Sequence, residues 1–202
     1  MHLRKIVILG PESTGKSILC QQLADHYQTI WCPEYAREYL LEHGTSYSFD
    51  NLLTIAQRQL QKEDEYAGKV MNAAANLPSG ADLPASSPAI NAPQRVPPVL
   101  FIDTDMYVMK VWCEFVFNNC HRFILDQIIE RKYDLYLLCN TDLPWVKDEL
   151  REYPDLENRK KLFYMYKDLM VNQDTPWVEI SGDYQERLPM AIAAVDRMLR
   201  TH

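Results

Sequence analysis

The amino-acid sequence predicts a three-layer α/β domain with a central, mostly parallel, five-stranded sheet flanked by helices. Two observations predict this fold. Short apolar runs of four or five residues recur along the chain, and a longer segment with helical periodicity follows most of them. Apolar runs of this length are typical of parallel strands that helices cover on both faces. The predicted strands are residues 5–9, 29–32, 99–103, 135–139 and 177–180.

The segments between these strands supply the predicted helices, and one segment does not fit the pattern. The helices are expected at residues 17–27, 49–71, 105–131, 156–170 and 184–199, with a break near Asn118 and Asn119. Alternating strands and helices imply right-handed crossovers, which place functional residues at the carboxyl ends of the strands. Residues 73–98 contain six of the 12 prolines and few large apolar side chains. We expect a flexible Pro/Ala-rich surface insertion there, within one domain that spans residues 1–202.

Composition and charge exclude several classes of protein. The 202 residues are 47% hydrophobic and 24% charged, as expected for a single globular domain. Lys and Arg number 21 against 28 Asp and Glu, so the net charge of −7 argues against a nucleic-acid partner. The longest apolar runs are too short for a membrane span or a signal peptide, so we expect a cytoplasmic protein without a membrane partner. The five cysteines form no C-x-x-C pair and are expected to be reduced.

A phosphate-binding loop is the strongest local signal in the chain. Residues 10–17 read Gly-Pro-Glu-Ser-Thr-Gly-Lys-Ser and match G-x-x-x-x-G-K-[ST] between a buried strand and a helix. We expect their backbone N–H groups to converge on the phosphates of ATP, the Lys16 ammonium to reach the β- and γ-phosphates, and the Ser17 hydroxyl to bind Mg²⁺. The predicted ATP-binding residues are Gly10, Pro11, Glu12, Ser13, Thr14, Gly15, Lys16 and Ser17. This motif in this setting predicts the P-loop NTPase fold.

Two carboxylates follow the apolar strand at residues 99–103. Asp103 ends that strand, and a carboxylate there can fix the hydration shell of Mg²⁺ beside the phosphate loop. Asp105 comes two positions later, so in an extended chain both carboxylates would point the same way and Asp105 could bind a substrate hydroxyl. The alternative for either residue is a cap on the next helix.

Further candidates follow the second and fourth predicted strands. Glu34 and Arg37 are three positions apart and share a helix face, where a carboxylate suits a general base and a guanidinium suits an anionic or planar group. A surface ion pair is the alternative. Arg151 could lie on a lid and screen charge on the transferred phosphoryl group, and so could Arg159, Lys160 and Lys161 after it; the alternative is a solvated helix face. Helical spacing is typical of core residues for most of the aromatic side chains that follow the third strand, although one or two of them could stack on a flat base; they are Tyr107, Trp112, Phe115 and Phe117.

Several segments together resemble the ribosylnicotinamide kinase domain of NadR-type proteins. They are the loop at 10–17, Cys-Pro-Glu-Tyr-Ala-Arg-Glu-Tyr at 32–39, Asp-Thr-Asp at 103–105, Leu-Leu-Cys-Asn-Thr-Asp-Leu-Pro-Trp-Val at 137–146, and Gly-Asp-Tyr at 182–184 with Arg187. The resemblance covers nearly the whole chain apart from the Pro-rich insertion. It implies ATP-dependent phosphorylation of nicotinamide riboside to nicotinamide mononucleotide, a step of NAD salvage. An H-x-G-H adenylyltransferase signature is absent from the sequence, so NAD synthesis and repressor activity are not expected.

Position by position, the resemblance implies a role for each candidate. Lys16 and Ser17 would hold ATP and Mg²⁺, while Glu34, Arg37 and Asp103 would line the riboside side. Arg151 would belong to the lid. The predicted catalytic residues are Lys16, Glu34, Asp103 and Arg151; the predicted substrate-binding residues are Glu34, Arg37, Asp103 and Asp105; and the predicted metal ligands are Ser17 and Asp103.

Together with the resemblance, the residues predict a kinase that transfers the γ-phosphoryl group of MgATP to the ribose 5′-hydroxyl of a nucleoside, and the resemblance makes nicotinamide riboside the leading acceptor. Glu34 or Asp103 would orient or deprotonate that hydroxyl. Two alternatives stay open. One is a kinase for another nucleoside or nucleotide, and the other is a nucleotide-dependent switch that binds a partner protein. The sequence also leaves open whether the chain forms a homo-oligomer.

Overall fold

The computed structural model describes residues 2–76, 97–147, 150 and 155–200. The strands are β1 (Arg4–Leu9), β2 (Trp31–Cys32), β3 (Val99–Asp103), β4 (Leu135–Cys139) and β5 (Trp177–Ile180). The helices are α1 (Lys16–His26), α2 (Tyr35–His43), α3 (Phe49–Ala75), α4 (Met106–Phe117), α5 (Arg122–Glu130), α6 (Leu156–Val171) and α7 (Tyr184–Arg200). Residues 77–96, which form most of the predicted Pro-rich insertion, and Arg151 lie outside the described residues.

The strands form one parallel five-stranded sheet, which confirms the predicted fold. Their order is β2-β3-β1-β4-β5, and each neighbouring pair is parallel. In the register of β1 with β3, Ile8 lies opposite Asp103, so the end of β3 is beside the start of the loop at residues 10–15. The carboxyl ends of all five strands therefore share one edge, where ligands bind in open α/β sheets.

Helices cover both faces of the sheet, as the continuous apolar runs predict. Alternate residues of β1 face opposite layers, since side chains in a strand have a period of two. Ile6 and Ile8 pack with α1 and α7, whereas Val7 and Leu9 pack with α4 and α6. Residues 6–9 are fully buried. A third apolar cluster joins α2, α3, α4 and α5 beside the sheet.

The observed elements differ from the predicted ones at β2 and at the end of α3, and the predicted break near Asn118 is confirmed. The second strand is two residues long, because the Thr29 hydroxyl bonds the Val99 carbonyl at 2.7 Å and the Thr29 amide bonds the end of α1 at Ala24. The helix predicted over 105–131 is broken at Asn118, whose φ of 51° ends α4. Helix α3 continues through Ala75, so the first residues of the predicted insertion are helical.

Two further expectations bear on the chain as a whole. All five cysteines are free thiols in the structure, and four of them are buried. Within the described ranges, no helix has both the length and the apolar character that a membrane crossing requires.

Candidate active site

The phosphate loop occupies the turn between β1 and α1, as the motif predicts. Gly10 has a φ of 142°, and a Cβ atom there would lie 2.6 Å from the Cys139 carbonyl oxygen, so the position requires glycine. Gly15 has a φ of 76° and starts α1. These two positions let the chain curl back against β4 and enter the helix directly. All residues from Gly10 to Ser17 line a cavity of about 310 Å³.

Lys16 reaches back across the loop that precedes it. Its ammonium donates to the Pro11 carbonyl at 3.0 Å, and the Thr14 hydroxyl donates to the same oxygen at 2.7 Å. The Gly15 carbonyl accepts the Leu19 amide at 3.0 Å and so opens the hydrogen-bond ladder of α1. The cation therefore lies over the loop at the amino end of a helix, an arrangement that favours a bound anion.

Ser17 and Asp103 meet beside this loop. The Ser17 hydroxyl donates to Asp103 Oδ2 at 2.5 Å. Asp103 is buried, and within the described part of the chain its Oδ1 atom has no hydrogen-bond partner. Burial raises the pKa of Asp103, and the charge of Glu34 raises it further, whereas Lys16 and Ser17 oppose the rise. An orphaned carboxylate oxygen next to a hydroxyl fits a hard, oxygen-seeking cation such as Mg²⁺.

Asp105 does not reach the cavity, which differs from the expectation that it binds substrate. The chain does not stay extended after β3, because Thr104 has a φ of 79° and turns the next residue away. Asp105 caps α4 by accepting the amides of Tyr107 and Val108, and its second oxygen accepts the Tyr136 hydroxyl at 3.2 Å. Burial raises its pKa to about 7. The structure thus favours the helix-cap alternative for this residue.

Glu34 and Arg37 both line the cavity across from the phosphate loop. Glu34 immediately precedes α2, and its Oε1 atom accepts the Thr104 hydroxyl at 3.2 Å. The strained Thr104 backbone therefore has a consequence at the site: it turns the hydroxyl toward Glu34. Arg37 lies on the first turn of the same helix, so the predicted shared face is present.

The buried side chain of Gln59 joins these elements from behind. Its carbonyl oxygen accepts the Tyr35 amide at 2.6 Å, while its NH₂ group donates to the Thr104 carbonyl at 3.1 Å and, less closely, to the Asp103 carbonyl at 3.4 Å. One amide from α3 thus fixes both the start of α2 and the end of β3. This anchoring role of Gln59 could not be predicted from the sequence, because a glutamine on a long helix is usually a surface residue.

Aromatic and apolar side chains complete the wall of the cavity away from the phosphate loop. Trp112 and Phe115 come from α4 and Tyr166 from α6, and the Trp112 indole donates to the Tyr47 hydroxyl at 2.8 Å. The structure therefore places Trp112 at the site. Burial raises the pKa of Tyr166, and the charges of Glu34, Asp105 and Glu12 raise it further. This side of the cavity is aromatic and lies close to the carboxylate of Glu34.

Two arginines whose roles the sequence did not resolve lie beneath the phosphate loop. Arg159 and Arg187 are each 3% exposed. Arg159 donates to the Ser13 carbonyl, and Arg187 donates to the Thr14 carbonyl. The sequence-based lid for Arg159 is not what the structure shows. The sequence spacing of arginines along a helix does not show whether they are buried or exposed, so only the tertiary packing distinguishes the two cases.

This combination of loop, lysine and Ser17–Asp103 pair at the carboxyl edge of a parallel sheet defines a P-loop nucleotide-binding domain. The family profile described as an AAA domain matches residues 5–187, and the chain belongs to that family.

Comparison with curated proteins confirms the resemblance to NadR proteins. The trifunctional NAD biosynthesis/regulator protein NadR of Escherichia coli (strain K12) is 26% identical over 205 aligned positions, which cover 98% of this chain and 43% of that protein. The NadR protein of Salmonella typhimurium (strain LT2) gives the same identity and coverage. The chain thus spans less than half the length of the curated relatives it matches.

Solved structures show the same fold. A crystal structure of NadR protein in complex with NR has a TM-score of 0.68 and 19% identity, over 97% of this chain and 49% of that one. A second NadR structure, in complex with NAD and AMP-PNP, has a TM-score of 0.65 and 18% identity over the same shares. Thymidylate kinase from Ehrlichia chaffeensis has a TM-score of 0.58 and 11% identity, over 96% of this chain and 99% of that chain.

Proposed function

We propose that this protein is a kinase that transfers the γ-phosphoryl group of MgATP to the ribose 5′-hydroxyl of nicotinamide riboside. The observation that carries the proposal is the juxtaposition of Glu34 and Arg37 with the phosphate loop across one cavity, with the orphaned oxygen of Asp103 beside it. The NadR relatives, one of them solved with NR and another with NAD and AMP-PNP, support both the donor and the acceptor.

The donor half of the reaction is assigned to the phosphate loop. Backbone amides of residues 10–17 would hold the phosphates, and Lys16 would leave the Pro11 carbonyl to contact them. Ser17 and Asp103 would hold Mg²⁺, which neutralises charge on the phosphates when it is bound. Positioning of the donor and neutralisation of charge are sufficient for catalysis at this loop, because phosphoryl transfer requires little covalent chemistry from the protein.

The acceptor half is assigned to Glu34. Its carboxylate lines the cavity opposite the loop and is held by the Thr104 hydroxyl, so one of its oxygens has a fixed direction. Glu34 would accept the proton of the attacking hydroxyl or orient that hydroxyl in line with the phosphorus. Arg37, on the same wall, would contact the ribose or carboxamide oxygens of the acceptor.

The aromatic wall and the carboxylate of Glu34 favour a cationic base in the acceptor. Glu34 lines the cavity together with Trp112, Phe115 and Tyr166. A positively charged nicotinamide ring is stabilised over an aromatic face and beside a carboxylate.

A nucleoside panel tests the proposal. Purified protein is incubated with MgATP and, separately, with nicotinamide riboside, uridine, cytidine, adenosine, thymidine and thymidine monophosphate, and the products are identified by mass. We expect nicotinamide mononucleotide and ADP in equal amounts from the first reaction and far slower turnover of the others. Turnover of an ordinary nucleoside or of the monophosphate, with none of nicotinamide riboside, would refute the acceptor but leave the kinase. ATP hydrolysis without any acceptor product would instead support a switch or ATPase.

A further inference from the structure

We propose that Arg159 and Arg187 are positioning residues that set the orientation of two consecutive peptide groups in the phosphate loop and so aim the Thr14 and Gly15 amides at the phosphates. The inference rests on the proposed binding of ATP at this loop. It concerns side chains that contact the loop's carbonyl oxygens and are not among the described residues that line the cavity.

The two arginines arrive from different helices and meet the same short stretch of backbone. Arg159 lies on α6, and its Nη2 atom donates to the Ser13 carbonyl at 3.2 Å. Arg187 lies on α7, and its Nη1 atom donates to the Thr14 carbonyl at 2.8 Å. Ser13 has a φ of 56°, a conformation that an L-residue adopts only when its surroundings hold it there.

Peptide geometry converts these carbonyl contacts into amide directions. In a planar trans peptide, the carbonyl of one residue and the N–H of the next point in opposite directions. A guanidinium that holds the Ser13 carbonyl therefore turns the Thr14 N–H away from Arg159, and one that holds the Thr14 carbonyl does the same for the Gly15 N–H. The arginines thus act through backbone amides, which are the groups that bind phosphate in such loops.

Each arginine also ties the loop to the chain that leaves β4. Nη2 of Arg159 donates to the Leu143 carbonyl at 3.2 Å, in addition to Ser13. Nη2 of Arg187 donates to the Asn140 carbonyl at 3.0 Å and to the Asp142 carboxylate, while Nε donates to the Gly182 carbonyl at 2.8 Å. These hydrogen bonds therefore anchor the loop to the segments that follow β4 and β5, and both strands are fixed in the sheet.

The two arginines reach the described carbonyls of the loop and its neighbours through different numbers of nitrogen atoms, and this difference makes the inference testable. Arg187 donates through Nε, Nη1 and Nη2 in three directions, a fork that lysine cannot reproduce. The contacts of Arg159 to Ser13 and Leu143 both come from one nitrogen, Nη2. A lysine ammonium has three donors at one point and can replace much of that arrangement.

Calorimetric titration with MgATP and with inorganic triphosphate tests the inference. The variants are Arg187→Lys, Arg159→Met and Arg159→Lys, with Arg197→Lys and Arg197→Met as controls, because Arg197 is exposed on α7. We expect the Kd for both ligands to rise roughly tenfold or more in Arg187→Lys and Arg159→Met, because the loss of a hydrogen bond from a charged group typically changes a binding constant by about that factor. Arg159→Lys should lie nearer to wild type than Arg159→Met, and the controls should match wild type.

Kinetics separate a positioning role from the other roles. At saturating MgATP, the KM for the nucleoside should stay within about twofold of wild type, because the acceptor wall is untouched. A lower kcat with an unchanged Kd for MgATP would overturn the inference in favour of direct contact with the transferred group. An unchanged Kd with only a lower unfolding temperature would overturn it in favour of a structural role. Equal losses in Arg159→Lys and Arg159→Met would also overturn it.

Two outcomes remain to be told apart from these. If Arg187→Lys does not fold, the two Arg159 variants alone test the inference, because a wild-type Kd for MgATP in Arg159→Met contradicts it. If wild-type protein binds neither MgATP nor triphosphate, the proposed function itself fails, and this result is distinct from a wild-type protein that binds while all variants bind equally well.

Discussion

The two halves of the cavity are built in different ways. The phosphate half is a run of eight consecutive residues, Gly10 to Ser17, whose backbone forms the binding surface and whose carbonyls are held by arginines from behind. The acceptor half is a set of side chains from α2, α4 and α6, held together by the Gln59 amide and the Thr104 hydroxyl. One half depends on local conformation, and the other depends on tertiary contacts.

This difference in construction predicts different responses to mutation. A backbone site tolerates the loss of most of its side chains, whereas a side-chain site does not. Ligand binding to the phosphate half should therefore depend little on changes on the acceptor half. Within the described residues, the side-chain hydrogen bonds of Glu34 and Trp112 go to Thr104 and Tyr47 and not to residues 10–17.

The largest effect is expected for Lys16→Ala. Removal of the ammonium that serves the transferred phosphoryl group should lower turnover by roughly a hundred- to a thousandfold. The unfolding temperature should change little, because the loop conformation comes from Gly10, Gly15 and the buried arginines. Lys132→Ala is the control, since Lys132 is exposed at the opposite edge of the sheet. Wild-type turnover in Lys16→Ala, measured as ADP release, would contradict its role.

Glu34→Gln should have the next largest effect and should leave the phosphate half intact. Loss of a general base typically lowers kcat by roughly a hundredfold or more, while the Kd for MgATP should stay within about twofold. Glu38→Gln is a matched control on the same helix, because Glu38 is exposed and paired with Lys62. An unchanged kcat in Glu34→Gln would move the base to Asp103.

Gln59→Leu tests whether tertiary contacts hold the acceptor wall. Loss of the amide frees the start of α2 and the end of β3, so Glu34 is displaced, and we expect kcat/KM for the nucleoside to fall roughly tenfold. The Kd for MgATP should not change. Gln59→Glu retains the acceptor for the Tyr35 amide, so its kcat/KM for the nucleoside should lie between the values of wild type and Gln59→Leu. Gln61→Leu, at an exposed position on α3, is the control. An equal loss of MgATP affinity in Gln59→Leu would show that the two halves are not independent.

Asp105 provides the smallest expected effect on activity. Asp105→Asn retains the helix cap through its carbonyl oxygen, and its NH₂ group can donate to the Tyr136 hydroxyl oxygen, so turnover and stability should stay close to wild type. Asp105→Ala loses the cap and leaves the Tyr136 hydroxyl buried without this acceptor, which should lower the free energy of unfolding by roughly 2–4 kcal/mol. Urea unfolding of the two variants measures this difference. A large loss of kcat in Asp105→Asn, with normal stability, would return the residue to the substrate site.

Much of the fold could be predicted from the sequence, because its signals are local. Strands β1, β3 and β4 are apolar runs that the sheet buries on both faces, and the break at Asn118 follows from turn-forming residues. The short β2 could not be predicted in length, since its limit is set by a Thr29 hydroxyl that bonds a residue 70 positions away. For α2, the sequence pattern predicts a helix face that Glu34 and Arg37 share, but it does not predict the bounds of the helix.

The candidate site divides in the same way. By itself, the sequence determined the phosphate loop, the carboxylate at the end of β3 and the placement of Glu34 and Arg37 on one side of the start of α2, because each needs only neighbouring residues and a regular backbone. Only the tertiary structure decided that Thr104 sends Asp103 and Asp105 to different places, that Gln59 holds the acceptor wall and that Arg159 and Arg187 lie beneath the loop. The physical reason is that burial and hydrogen-bond partners depend on which distant segments pack together, and the spacing of residues along one helix carries no record of them.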